Sequence, residues 1–160
     1  MKALVIYDSV FGNTKEVADA IGDVLKDDNE SCTFSVNEIE PDKLQDLDLL
    51  IVGSPTRKFS PTPATKQFIS NLERKNMRSV QIAAFDTRVD EDDINSSFLR
   101  FMLKAFGYAA KPLAKSLKRK GGTEVVQPEG FFVNDTEGPL KEGELERAAE
   151  WAKHIKEKVK

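Results

Sequence analysis

Three runs of the chain are almost purely apolar, residues 3–7 (Ala-Leu-Val-Ile-Tyr), 47–53 (Leu-Asp-Leu-Leu-Ile-Val-Gly) and 80–85 (Val-Gln-Ile-Ala-Ala-Phe), and each empties into a polar loop. Runs of this length without strict alternation are strands buried on both faces, which means a parallel sheet covered by helices. Between them lie amphipathic stretches. Val17, Ile21, Val24 and Leu25 recur at helical spacing, and Ala64, Phe68, Ile69 and Leu72 do the same behind Thr62-Pro63, a hydroxyl N-cap followed by proline at the first helical position. Residues 32–36 (Cys-Thr-Phe-Ser-Val) alternate, as an edge strand does, so Cys32 is read as strand packing.

The later part of the chain is less regular. Asp92 or Asp93 can cap a helix carrying Ile94, Phe98, Phe101, Met102, Ala105 and Phe106, with Gly107 to end it; Pro112 then opens a second helix that stops before Gly121. Leu99 and Leu103 widen the first helix's apolar surface beyond one stripe, which makes residues 94–106 either a lid or self-association surface or, together with the second helix, simple packing on the sheet. Val125-Val126-Gln127 and Phe131-Phe132-Val133 read as one last strand interrupted at Pro128-Glu129-Gly130. A closing helix turns Leu145, Ala148, Ala149, Ala152 and Ile155 inward, with Trp151 flanking that face and packing on the sheet.

Length and charge narrow the class. At 160 residues the chain is one ordinary domain, 1–160, and a net charge of −3 argues against a general nucleic-acid binder. The first apolar run is too short to be a signal peptide or a membrane span, so the expectation is a cytoplasmic protein without a membrane partner. One cysteine and one histidine, Cys32 and His154, supply no internal disulfide and no His/Cys metal cluster. The acidic run 90–93 is read as helix capping, and the Lys-rich run 115–120 as a solvated face.

The chemistry lies in the loop after the first strand, Asp8-Ser9-Val10-Phe11-Gly12-Asn13-Thr14. Ser9, Asn13 and Thr14 offer short polar side chains, Gly12 lets a ligand approach the backbone, and the helix that follows directs unpaired N–H groups at whatever sits there. A phosphate held by neutral donors is the natural occupant, since the loop contains no Lys or Arg.

Ser9-Val10-Phe11-Gly12-Asn13-Thr14 resembles the FMN-phosphate loop of flavodoxins, usually S/T-x-T-G-N-T, with Phe11 where a hydroxyl residue is usual. Gly53-Ser54-Pro55-Thr56 resembles the second flavin loop and Phe85-Asp86-Thr87-Arg88 the third, and the run 137–147 is similar to microbial members of the family. The resemblance implies a flavodoxin-like α/β fold: a doubly wound five-stranded parallel sheet, order 2-1-3-4-5, with an extra helical segment between strands 4 and 5. It implies FMN as cofactor, Ser9, Gly12, Asn13 and Thr14 at the phosphate, Pro55 and Thr56 along the ribityl chain and ring, and Asp86, Thr87 and Arg88 at the pyrimidine side. Phe59 and Phe11 stand in for the family's Trp and Tyr stacking residues, with Val10 beside them, and Arg57 and Lys58 border the ring.

The implied function is electron transfer through FMN between redox protein partners, with no catalytic acid or base. The alternative is an FMN-dependent reductase of a quinone or similar planar substrate. A non-redox interaction domain that keeps the fold without FMN is the third reading. The second loop has no glycine between Ser54 and Pro63, so the backbone flip beside the flavin that the family uses should be harder, and Arg57, Lys58 and Arg88 should raise the reduction potential.

Overall fold

The computed structural model describes residues 1–26 and 30–159; residues 27–29, which end the opening strand–loop–helix stretch, lie outside the described residues. The elements are β1 (Lys2–Tyr7), α1 (Asn13–Lys26), β2 (Glu30–Ser35), β3 (Leu49–Pro55), α2 (Pro63–Asn71), α3 (Arg74–Met77), β4 (Gln81–Val89), α4 (Ser97–Phe106), α5 (Ala110–Arg119), β5 (Thr123–Glu124), β6 (Glu129–Val133) and α6 (Glu144–Lys158). All strand pairs are parallel, in the order β2-β1-β3-β4-β5, with β6 also pairing β4.

Two apolar layers sandwich the sheet. On one side Val17, Ile21 and Leu25 of α1 and Ala148, Trp151, Ala152 and Ile155 of α6 meet Val5, Ile51, Phe85 and Phe131. On the other, Phe68, Ile69 and Leu72 of α2 and Leu113, Ala114 and Leu117 of α5 meet Leu4, Ile6, Leu50, Val52 and Ile82. Burying a Leu, Ile or Phe contributes roughly 1.5–3 kcal/mol, so these two layers hold the loops at the strand ends. Trp151 belongs to the core itself, edge-to-face on Phe85 and Phe131 at 6.2 and 6.1 Å, while Leu145 is turned outward.

Several expectations need correction. The fifth strand is divided: the break falls at residues 125–128, and Glu129 and Gly130 are in the ladder opposite Phe85 and Asp86. Pro128 has no N–H to give, so the break sits upstream of where it was expected. Cys32 is exposed on the edge strand β2. Asp90 caps a short 3-10 turn at Glu91–Asp93, and α4 starts only at Ser97, capped by the Ser96 hydroxyl.

Of α4 Leu103 alone is buried, and Phe98, Leu99, Phe101 and Phe106 are exposed, so this helix does not pack its apolar surface on the sheet. The sheet face that could have received them is already covered by α2 and α5. Gly107 ends α4 and Pro112 lies in the first turn of α5, both as the pattern suggests.

Candidate functional site

The three loops converge at the carboxyl ends of β1, β3 and β4, the edge where open α/β sheets take ligands. β1 has a neighbour on each side there, and the helices that follow β1 and β3, α1 and α2, lie on opposite faces of the sheet. The first loop turns at Gly12, whose φ of +95° favours glycine. Its folding is local: the Ser9 hydroxyl accepts from the Gly12 N–H at 3.1 Å, and the Gly12 carbonyl accepts from Glu16. The N–H groups of Val10, Phe11, Asn13 and Thr14 donate to no described residue. Four such donors at the head of a 14-residue helix make an anion site of neutral donors.

The side chains around this loop already have partners. Thr14, almost fully buried, shares a 2.8 Å hydrogen bond with the Thr87 hydroxyl. A hydroxyl carries one donor and two acceptor positions, so Thr14 can accept from Thr87 and still donate to a phosphate. The Asn13 amide donates to the Glu137 carbonyl at 3.1 Å, and a side chain at Gly138 would strike that amide. Asn13 therefore fastens the loop at 134–138 over the head of α1, leaving its backbone N–H for the anion.

The second loop is a tight turn. Arg57 and Ser60 exchange backbone hydrogen bonds of 2.8 and 3.0 Å, and Lys58 and Phe59 between them take φ of 49° and 62°. Here a glycine-free loop does hold left-handed conformations, at a cost of about 1 kcal/mol or more per residue. The turn is anchored from both sides: Thr62 donates to the Asp8 carboxylate at 2.5 Å, and Thr56 N–H donates to the Thr87 carbonyl at 2.9 Å. Outside it, Phe59 packs against Phe106 of α4, centroids 6.3 Å apart.

The third segment is strand rather than loop, because β6 continues the ladder alongside it through Val89. Asp86 is wholly buried and grips Arg88 in a bidentate pair, Oδ1–Nε 2.6 Å and Oδ2–Nη2 2.7 Å. It also accepts from the Ala110 N–H at 2.7 Å, so this carboxylate caps α5, which has no side-chain cap of its own. Burial pushes the Asp86 carboxyl up from its ordinary value, against the pull of Arg88, the Ala110 N–H and Thr56. The Arg88 guanidinium lies 3.9 Å from the Tyr108 ring centroid and fills the space above Gly130 that a side chain there would occupy. Its charge is thus compensated on the spot, which removes Arg88 from the cations expected to raise the potential.

Between these segments lies a cleft of about 100 Å³. Ser9, Val10, Phe11, Asn13 and Thr14 line it from the first loop, Pro55, Thr56 and Arg57 from the second, and Thr87 and Arg88 from β4. Gly12, Lys58, Phe59 and Asp86 do not line it: Gly12 supplies the turn, Lys58 and Phe59 form the tip outside, and Asp86 lies beneath Arg88. Val89, Val133 and Thr136 line it too, and only the fold brings them there, since β6 and the loop after it carry no anion-binding pattern. Arg57 sits over the Phe11 ring at 5.5 Å and bridges the mouth. A larger hollow of about 550 Å³ opens at the other end of the sheet, lined by Leu44, Leu47, Asn71 and Met77 among others. It has no anion loop and lies at the amino ends of β3 and β4, so the smaller cleft is the candidate site.

A family model described as Flavodoxin domain matches residues 4–130. The chain belongs to the flavodoxin domain family. Among solved structures it is similar to a flavodoxin from the domain Archaea, with a TM-score of 0.76 and 23% identity over 99% of each chain. Flavodoxin 1 from Bacillus cereus is similar at 0.76 and 18% over the whole of both chains. Rubredoxin oxygen:oxidoreductase from Desulfovibrio gigas matches 99% of this chain with 36% of its own, at 0.76 and 17%. No curated protein matches the chain in sequence. FMN is the cofactor that membership in this family implies, and the donor set fits its phosphate: four free N–H groups and the Thr14 hydroxyl, with no competing carboxylate turned into the cleft.

Proposed function

We propose that the protein is an FMN-dependent electron carrier between protein partners, working in the cytoplasm. The observation that carries this reading is the set of free N–H groups at Val10, Phe11, Asn13 and Thr14, beside a cleft whose lining offers no residue arranged as a catalytic acid, base or nucleophile. FMN, when bound, supplies the one- and two-electron chemistry. The chain's residues supply binding and orientation. Ser9, Asn13 and Thr14 would hold the phosphate, Pro55 and Thr56 would lie along the ribityl chain, and Arg88, fixed by Asp86 and Tyr108, would present a rigid donor edge beside Thr87. Phe11 and Arg57 flank the mouth, and a flat ring entering the cleft has to part them. The exposed thiol of Cys32 suits a reducing compartment.

Purified protein loaded with FMN should be yellow and should take up electrons on stepwise reduction. NADH or NADPH alone should leave its absorption unchanged, whereas prompt bleaching by either would favour the quinone-reductase reading, and failure to retain FMN would favour a non-redox interaction domain.

A further inference from the structure

The charge of this chain is not evenly spread. Between residues 94 and 123 there are seven Lys and Arg and no Asp or Glu, in a chain whose net charge is −3. This segment contains α4 and α5, and α4 lies on the surface with Phe98 and Phe101 about two-thirds exposed. The segment joins the candidate site at two points: Phe106 of α4 packs on Phe59 of the second loop, and the Ala109 N–H at the head of α5 donates to the Thr56 hydroxyl at 3.0 Å. Arg57, Lys58, Arg100 and Lys111 have no carboxylate partner among the described residues. An apolar centre with unpaired cations at its rim, beside the mouth of the cleft, has the composition of a protein docking surface.

We infer that the α4 face, with the second loop, docks a redox partner whose own surface is acidic. The inference rests on the electron-carrier reading. A second copy of the chain fits the same face less well, because a two-fold contact over α4 brings together two surfaces of the same excess positive charge, with Arg100 unpaired on each, and like charges oppose association. Within the acidic run 90–93 directly before α4, Glu91 and Asp93 are occupied by Lys104 and Lys141, at 3.7 and 2.6 Å, while Asp90 and Asp92 have no ion-pair partner among the described residues, so the cations left to attract an acidic partner are Arg57, Lys58, Arg100 and Lys111. An acidic protein surface gains attraction from those cations and buries the phenylalanines.

The test is a titration of the isotope-labelled full chain, with and without FMN, by a strongly acidic plant-type ferredoxin and by basic cytochrome c. Ferredoxin should shift the amide signals of 97–106 and 57–60 at low salt, and about 0.3 M salt should reverse most of the shift; cytochrome c should leave these signals in place. Phe98→Ser with Phe101→Ser, and separately Arg100→Glu, should weaken ferredoxin binding by about tenfold or more without loss of helix, since none of the three side chains is buried. Unchanged binding in both variants, larger shifts with cytochrome c, a dimer formed through α4, or α4 signals that respond to phosphatidylserine vesicles and not to ferredoxin would each overturn the inference. A protein that retains no FMN yet shows the ferredoxin shifts defeats the electron-carrier reading alone; one that retains FMN without those shifts defeats the docking surface alone.

Discussion

Asp86 and Arg88, two residues apart on β4, close a bidentate ion pair with both bonds under 2.8 Å, and the same carboxylate caps α5 through the Ala110 N–H. One buried charge therefore fixes both the cation that lines the cleft and the helix behind it.

Removing one partner of such a pair leaves the other buried and alone, so Arg88→Gln should cost about 3–5 kcal/mol in urea unfolding at neutral pH. The deficit should depend on pH. Burial already raises Asp86 above its ordinary value of 3.8, and loss of Arg88 raises it further. A carboxyl raised in the folded state favours folding when protonated, and that advantage is lost as pH rises through its folded value. The variant's deficit should therefore grow as pH rises past the parent's own raised Asp86 value, where the parent's loss has ended and the variant's continues; a deficit independent of pH would contradict the assignment of Asp86 as the stranded group.

Glu144 gives the opposite sign. It accepts from the Phe132 N–H at 2.7 Å and from Arg147 at 2.6 and 3.0 Å. Burial alone would raise it, but Arg147 and the Phe132 N–H outweigh that and hold the carboxyl below its ordinary value of 4.5. Its contribution should be complete above about pH 4.5 and be lost as pH falls through the depressed folded value. Glu144→Gln should cost about 1–2 kcal/mol at pH 7, and the gap to the parent protein should narrow in acid, as followed by thermal unfolding across pH.

Much of this was legible in the sequence, and the exceptions share a cause. The three apolar runs became β1, β3 and β4 because parallel strands buried on both faces need unbroken hydrophobicity, and Thr62-Pro63 opened α2 through its own cap. Residues whose role depends on a distant neighbour were misread or left open. Arg88 looked like a free cation because Tyr108 reaches it only in the fold; Asp86, two residues away on β4, was the one partner within local reach. The aromatic residues of α4 left two readings open, an exposed surface or packing on the sheet, because nothing local shows that α2 and α5 fill the face they would have used. Val133 and Thr136 reach the cleft only through the β4–β6 pairing.

The turn at 57–60 offers a local test. Lys58 holds a φ of 49°, which glycine adopts without the Cβ penalty. Lys58→Gly should stabilise the protein by about 0.5–1 kcal/mol, the left-handed strain relieved outweighing the added freedom of the unfolded chain. Phe59→Gly relieves similar strain but removes the ring packed on Phe106, so its gain should be smaller or reversed; the two midpoints in urea decide this.

Thr14→Val removes the hydroxyl from both Thr87 and the anion site. FMN binding should weaken by about 1–3 kcal/mol, read by quenching of flavin fluorescence. Thr87→Val breaks the same internal bond yet leaves the Thr14 hydroxyl free to donate, so it should weaken binding less. Equal losses would assign Thr14 a packing role only.

The account rests on a phosphate site at the head of α1, and the most direct measurement is a parallel titration of the flavin-free protein with FMN and with riboflavin, which share a ring and differ in the phosphate. The account predicts one FMN bound per chain and riboflavin binding weaker by about tenfold or more, the loss of at least one good phosphate contact. Equal affinity for the two, or no binding of FMN, would contradict it.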